Sequence, residues 1–208
     1  MGKFTKIPKD TFDALQLDAG VLLRKFDPSS TEDFKDEDLI CATTGGITVT
    51  ATPAFSDLGS DVDNCPTNMM ELKHLDSWEC SIGFTALGTS PELLKMALGC
   101  ADINGTDHVV PRMSLNQTDF KEIWWVGDKA NGGMVAVKLF NALSTAGLSL
   151  KTTKAGKGQT SVTMTGHVSL NAQDVVPIEF YSTDPPTDTE GVSAVNESDS
   201  MTGDEEAT

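Results

Sequence analysis

The feature that most constrains the fold is a strand pattern at residues 43–57, with the sequence TTGGITVTATPAFSD. Apolar residues and threonines alternate through its middle: Ile47, Val49 and Ala51 against Thr48, Thr50 and Thr52. Successive side chains of a β-strand point to opposite faces, so this alternation predicts a half-buried strand with one face of hydroxyls. The glycine pair at 45–46 predicts a bulge or a tight turn within it.

Short strand patterns recur along the chain, with one helix pattern among them. Strands are predicted at residues 20–26, 39–42, 47–56, 75–87, 109–110, 123–126, 134–140, 148–151, 161–170 and 175–181. The helix is predicted at 90–99, where Ser90 suits the N-cap, Pro91 the first helical position and Gly99 the C-terminal end. Many short strands with a single helix predict a mainly β fold, an antiparallel sandwich or barrel with one flanking helix.

Tryptophans on two predicted strands divide between core and surface. Trp78 shares a strand face with Cys80, Ile82 and Phe84, and this face is predicted to lie in the core. Trp124 and Trp125 are adjacent and point to opposite faces, so one is predicted to be buried and the other to lie at an interface. An exposed tryptophan favours a protein interface over a sugar platform, because a sugar site needs converging polar partners.

The charge of the chain is strongly negative and uneven. The 208 residues carry 31 acids and 15 bases, a net charge of -16. Eight acids and no base lie after residue 183, which leaves 31 minus 8, or 23, acids against 15 bases, a net of -8 in the body. A negative body repels phosphate, so sequence-independent DNA binding is a poor interpretation.

The composition also predicts the domain organisation. Residues 1–182 are predicted to form one β domain, whereas residues 183–208 have few large apolar side chains and are predicted to be a disordered acidic extension. No apolar run is long enough for a signal peptide or a membrane span, so we expect synthesis in the cytosol and no membrane insertion.

No motif predicts catalysis or a bound cofactor. The three histidines lack metal-ligand spacing, and the four cysteines, expected to be small buried thiols, contain no C-x-x-C pair. Asp61 and Asp63 begin like a calcium loop, but the glycine and distal glutamate are absent. The segment at 155–161 lacks the order of a phosphate-binding loop and is predicted to be a hairpin loop, and no serine lies in a G-x-S-x-G elbow. We expect no enzyme, no metal and no cofactor.

Several segments together resemble a known family. They are TTGGITVTATPAFSD, LQLDAG near the start, LDSWE in the middle, and NALSTAG and NAQDVVPIEFY near the end. In combination they resemble the major tail protein of long, non-contractile-tailed bacteriophages, over residues 5–181. The resemblance implies a β-sandwich-like fold with a flanking helix and a long loop, assembled as hexameric rings that stack into a hollow tail tube.

The resemblance also implies partners and a location. The main partner would be the chain itself, and the others a tape-measure protein, a tail terminator and a distal tail protein. DNA would pass through the tube on its way into the host without specific binding. The protein would be part of the virion tail, after assembly in the cytoplasm of the bacterial host.

Two sets of residues are candidates for these roles. The strands around 48–52 and 160–165 are expected to supply lumen-facing hydroxyls, and the candidates are Thr48, Thr50, Thr52 and Thr163. The long loop predicted at 57–70 is expected to reach the adjacent ring, and its candidates are Phe55, Asp57, Asp61 and Asp63. Open strand edges would be closed by a head-to-tail contact within a ring, and a second contact would stack the rings.

A different class of function stays open from the sequence. A soluble carbohydrate-binding or adhesion β-sandwich would present Trp124 or Trp125 on a platform. It would be a monomer that binds glycans, whereas a tube protein polymerises.

Overall fold

The computed structural model describes residues 6–30 and 34–185, and an antiparallel sheet of eight strands dominates them. The elements in chain order are β1 (Gln16–Leu23), β2 (Ala42–Asp57), β3 (Lys73–Leu87), α1 (Pro91–Leu98), β4 (Ala101–Asn104), β5 (His108–Pro111), β6 (Lys121–Lys129), β7 (Met134–Ser144), β8 (Ser149–Lys151), β9 (Gln159–Thr165) and β10 (Ile178–Thr183). Strands β4 and β5 form a separate pair. The predicted mainly β class is confirmed.

Strand β7 divides the large sheet into two halves. The order is β1-β6-β7-β9-β3-β2, with β10 paired to β7 and β8 paired to β9. Most of β7 pairs with β6 and β10, whereas Leu143 and Ser144 at its end pair with β9. We call β1, β6, β7 and β10 the first half-sheet, and β2, β3, β8 and β9 the second. The sheet does not close into a barrel.

The two half-sheets share one apolar core. The first contributes Leu22, Ile123, Val137, Leu139, Ala142 and Ile178, the second Cys80, Ile82, Phe84, Ala86, Val162 and Met164, and α1 contributes Leu93 and Ala97. A smaller cluster contains Leu23, Trp124 and Ala136. Sheet surfaces that meet over a common core make the fold sandwich-like.

Helix α1 forms where its capping residues predict it. The Leu93 amide donates to Ser90 Oγ at 3.3 Å, Pro91 is the first helical residue, and Gly99 follows the end with φ 77°. Eight residues are too short for a stable helix in water, so burial of Leu93 and Ala97 against the sheet maintains it.

Loss of the cap is expected to weaken the fold measurably. Ser90→Ala removes the side-chain acceptor of the Leu93 amide and should lower the free energy of unfolding by about 1 kcal/mol. Chemical denaturation of the full chain measures this change. Ser149→Ala, at an exposed β8 position, is the control and should stay within about 0.5 kcal/mol of wild type. An equal loss in both variants would show that the cap contributes nothing.

Some predicted strand bounds differ from the structure. Leu39 makes only an isolated bridge to Leu23, so the separate strand predicted at 39–42 is wrong. The β4 strand was not predicted at all. Strand β9 ends at Thr165 rather than at residue 170, and β10 begins at Ile178 rather than at 175. The bulge in β2 is confirmed, since the register shifts between Thr44 and Ile47.

The described chain ends beside the β6–β7 turn. Lys129, only 8% exposed, donates from Nζ to Asp184 Oδ1 at 2.7 Å and so secures the end of β10. The acidic extension predicted for 183–208 therefore begins with residues that contact the body, and 186–208 lie outside the described residues. In the described part of the chain, no helix is long and apolar enough to cross a membrane.

Candidate functional site

The second half-sheet has one apolar face and one face of hydroxyls. Residues paired directly across strands point to the same face. Thr48 pairs with Gly83, which pairs with Thr163, and Thr50 pairs with Ser81, which pairs with Thr165. The alternate residues of these strands lie in the core. We call this outer surface the hydroxyl face; its members are Thr44, Thr48, Thr50, Thr52, Ser81, Thr85, Ser149, Ser161, Thr163 and Thr165.

All four candidate lumen residues therefore share one surface. Thr48, Thr50 and Thr52 are exposed and Thr163 is half-buried. By register, charged residues stand only at the two ends of this face, Glu79 beside Thr52 and Lys151 beside Gln159. The hydroxyl face is therefore neutral between these ends, and the negative charge of the chain lies elsewhere.

The outer edge of this half-sheet is open. Strand β2 runs for 16 residues and, among the described residues, pairs only with β3. Unpaired amides and carbonyls along a strand edge can hydrogen-bond a strand of another chain. The long edge of β2 is therefore a candidate surface for assembly.

The β2–β3 hairpin extends beyond the core as an arm. We define the arm as residues 52–79, which comprise the end of β2, the loop at 58–72 and the start of β3. Every residue from Lys73 to Glu79 is exposed, and burial begins only at Cys80. A two-stranded hairpin without a packed face is marginally stable alone. An arm of this length is therefore expected to gain stability from a partner.

One face of the arm is apolar and continues the plane of the core residues. Pro53 pairs with Trp78 and Phe55 pairs with Leu75, in line with the pair of half-buried Ala51 and buried Cys80. We call these four arm residues, Pro53, Phe55, Leu75 and Trp78, the arm stripe. Phe55 is 55% exposed, Leu75 43% and Trp78 38%. The prediction that Trp78 lies in the core is wrong. The β2–β3 hairpin extends beyond the other elements, so nothing in the described chain covers Trp78.

The candidate stacking residues do not all lie in a loop. Phe55 and Asp57 belong to β2, so the predicted loop start at 57 is wrong by one residue, and the loop begins at Leu58. Asp57 organises the loop, since its carboxylate accepts from the amides of Gly59 at 3.0 Å and of Asn68 at 2.8 Å. Asp61 and Asp63 lie exposed within it. All four candidate stacking residues thus lie on the arm.

The order of the loop should depend on pH through Asp57. Hydrogen bonds from the Asn68 and Gly59 amides hold the pKa of Asp57 below 3.8, its usual value. A lowered folded-state pKa means that these bonds stabilise the loop above the usual pKa and are lost as pH falls through the lowered value. The amide proton shifts of Gly59 and Asn68 should therefore titrate below pH 3.8 in wild type. Asp57→Asn is the control and should not titrate; an identical transition there would assign it to another group.

The two tryptophans of β6 differ in burial. Trp124 is 3% exposed and packs edge-on against Phe26, with a ring separation of 5.6 Å. Trp125 is half-buried, contacts the main core and donates from Nε1 to the Ala19 carbonyl at 3.0 Å. Trp124 is thus buried as one of the pair was predicted to be, whereas Trp125 is only half-buried, and its predicted place at an interface stays a prediction.

A cavity of about 640 Å³ opens between α1 and the first half-sheet. Its floor is apolar and includes Leu93, Met96, Ile123, Leu143 and Met164. Its rim carries charged side chains of both signs, drawn from α1, from β6 and from the segment after β1. Sequence reasoning missed the cavity because distant segments build it and no local pattern marks it.

Groups suited to metal or thiol chemistry are dispersed. In the described ranges, no three His, Cys, Asp or Glu side chains gather as a metal site. All four cysteines are free, but only Cys80 is fully buried, so the expectation of four buried thiols is met in part. Burial raises the pKa of the Cys41 thiol to about 11, against a lowering effect of Arg24, so this thiol stays protonated at neutral pH.

Comparisons with protein-family models and curated proteins identify no relative of this chain. No model of a protein family matches the chain, and no curated protein matches it.

Proposed function

We propose that this chain is a structural protein that polymerises with copies of itself into a hollow tube, a phage tail tube through which DNA passes. One observation carries the proposal: a continuous hydroxyl face stands beside an open β2 edge of 16 residues. A tube wall needs these two features together, a surface toward the channel and an edge that another copy can extend.

Lateral joining would convert half-sheets into a ring. The second half-sheet ends at β2 on one side and at β8 and the end of β7 on the other. An edge of one copy that pairs with the opposite edge of the next makes a heterologous contact, which closes into a ring when the rotation allows. Six copies, the number that the resemblance implies, would then present their hydroxyl faces to a common channel.

The chemistry of the hydroxyl face suits a conduit for DNA. Between its ends it carries no lysine or arginine that could pair with phosphate. Phosphate contacts by basic side chains supply most of non-specific DNA affinity. A neutral wall of short hydroxyls therefore gives DNA no strong site at which to stop.

The arm would supply the second contact, between successive rings. It projects from the same half-sheet, and contact with another copy would bury the exposed apolar residues of the arm stripe. The proposal includes the remaining partners, which are a tape-measure protein, a terminator and a distal tail protein, and a place in the virion tail. It requires no catalysis and no cofactor.

The carbohydrate-binding alternative loses its main support. It required Trp124 or Trp125 on an exposed platform, but Trp124 is buried and Trp125 is half-buried with its Nε1 bonded to the backbone.

Sedimentation velocity of the purified full chain tests the proposal. We expect a monomer at low concentration and very large particles above a sharp threshold, because linear assembly from rings is cooperative. Sedimentation as a monomer at every concentration would contradict it. Binding of the monomer to a glycan array would instead support the alternative.

A further inference from the structure

The rim of the cavity beside α1 carries four basic and three acidic side chains. Three lysines, Lys25, Lys95 and Lys121, line it. Within residues 6–30 and 34–185, none of the three has an ion-pair partner. We call them the rim lysines.

Each acid of the rim forms its ion pair with a cation other than the rim lysines, although Asp119 also interacts electrostatically with Lys95. Glu92 pairs with Arg24, Asp119 pairs with Arg112, and Glu122 pairs with Lys138 at 2.9 Å. The cavity thus combines an apolar floor with positive charge available to an incoming ligand. Its volume of about 640 Å³ lies within the usual range for binding pockets, roughly 300–1,000 Å³.

The arm has the complementary chemistry. Residues 52–79 contain six acids and one lysine, a net of 1 minus 6, or -5. The acids are Asp57, Asp61, Asp63, Glu71, Asp76 and Glu79. The arm stripe and the loop residues Leu58, Val62 and Met70 add exposed apolar surface. Acidic side chains around large apolar ones match lysines around an apolar floor.

We infer that the cavity beside α1 receives the arm of a second copy of this chain, with the rim lysines paired to arm acids. The inference rests on the proposed function and names the surface that the arm contacts. Because arm and cavity are different surfaces, the contact is heterologous, so each copy both offers an arm and receives one. Such a contact propagates without a built-in limit, as stacking requires.

Charge reversal on the rim tests this contact in the full chain. Lys95→Glu combined with Lys121→Glu should raise the concentration needed for sedimenting particles at least about 100-fold, since two attractions become repulsions. Lys154→Glu with Lys157→Glu is the matched control; it makes the same charge change in the exposed loop before β9 and should assemble like wild type. Circular dichroism and a thermal melt verify that each variant is folded.

A second reversal on the arm identifies the occupant. Asp61→Lys with Asp63→Lys should prevent assembly alone and restore it when combined with the rim reversal. Normal assembly of the rim variant, or equal loss in the control, would overturn the inference. If each reversal prevents assembly but the combination does not restore it, the inference would also be overturned. The rim lysines would then contact another acidic segment, such as residues 186–208. In all three cases wild-type particles still form, whereas their absence would contradict the proposed function itself.

Discussion

Replacement of Phe55 and Trp78 together by serine is expected to abolish assembly while the monomer stays folded. Both side chains stand on the arm stripe, 55% and 38% exposed. Neither side chain belongs to the apolar core clusters, so we expect a single copy to fold without them. In an assembly, buried aromatic anchors typically contribute about 2 kcal/mol or more each.

The expected size of this effect follows from those two anchors. About 4 kcal/mol of lost contact energy corresponds to a rise of roughly 1,000-fold in the concentration at which particles form. Sedimentation measures this threshold, and circular dichroism verifies that the variant monomer is folded. The control is Val168→Ser with Leu170→Ser, two exposed apolar residues outside the arm. Assembly of the arm variant at the wild-type threshold would show that the arm stripe is not an interface.

If the hydroxyl face lines a channel as proposed, lysines on this face are expected to make the channel retain DNA. The change is Thr48→Lys, Thr50→Lys and Thr163→Lys, which places three new cations on one surface of each copy. Three phosphate contacts give a salt slope of about -2.7, so affinity should fall about 40-fold between 50 and 200 mM salt. A short DNA duplex should co-sediment with particles of this variant and not with wild type.

The position of the bound DNA distinguishes the channel from the outer surface. DNA held inside a tube should resist a nuclease that is too large to enter. The matched control places lysines at Leu170, Asn171 and Gln173, three exposed positions of the loop before β10, and its bound DNA should be digested. Digestion at the same rate in both variants would contradict a channel lined by the hydroxyl face.

Much of the second half-sheet was predictable, because apolar and hydroxyl residues alternate over the part of its strands that covers the core. The threonine and apolar alternation in β2 identified both faces, and the capping residues of α1 identified its ends. Gly83 pairs with Thr48 on one side and with Thr163 on the other, and this pairing of distant segments cannot be read from any local sequence pattern. Only the folded structure therefore shows that the four candidate lumen residues share one surface.

The arm was harder to predict, because an exposed hairpin continues the same alternation as a buried one. Trp78 has the spacing of a core residue, yet no other element extends far enough to cover it. A signal was present in the sequence around Leu75 and Trp78. The neighbouring residues are more polar than those of a buried strand; they are Lys73, His74, Asp76 and Glu79. The cavity had no such signal, because its floor and rim come from distant segments.

Electron microscopy of the purified full chain at high concentration tests the central claim most directly. Negative staining reveals the shape of any particle and the presence of a channel. The predicted result is long tubes of uniform width with a stain-filled central channel. A field of dispersed monomers at the same concentration would contradict the proposal that this chain is a tube protein.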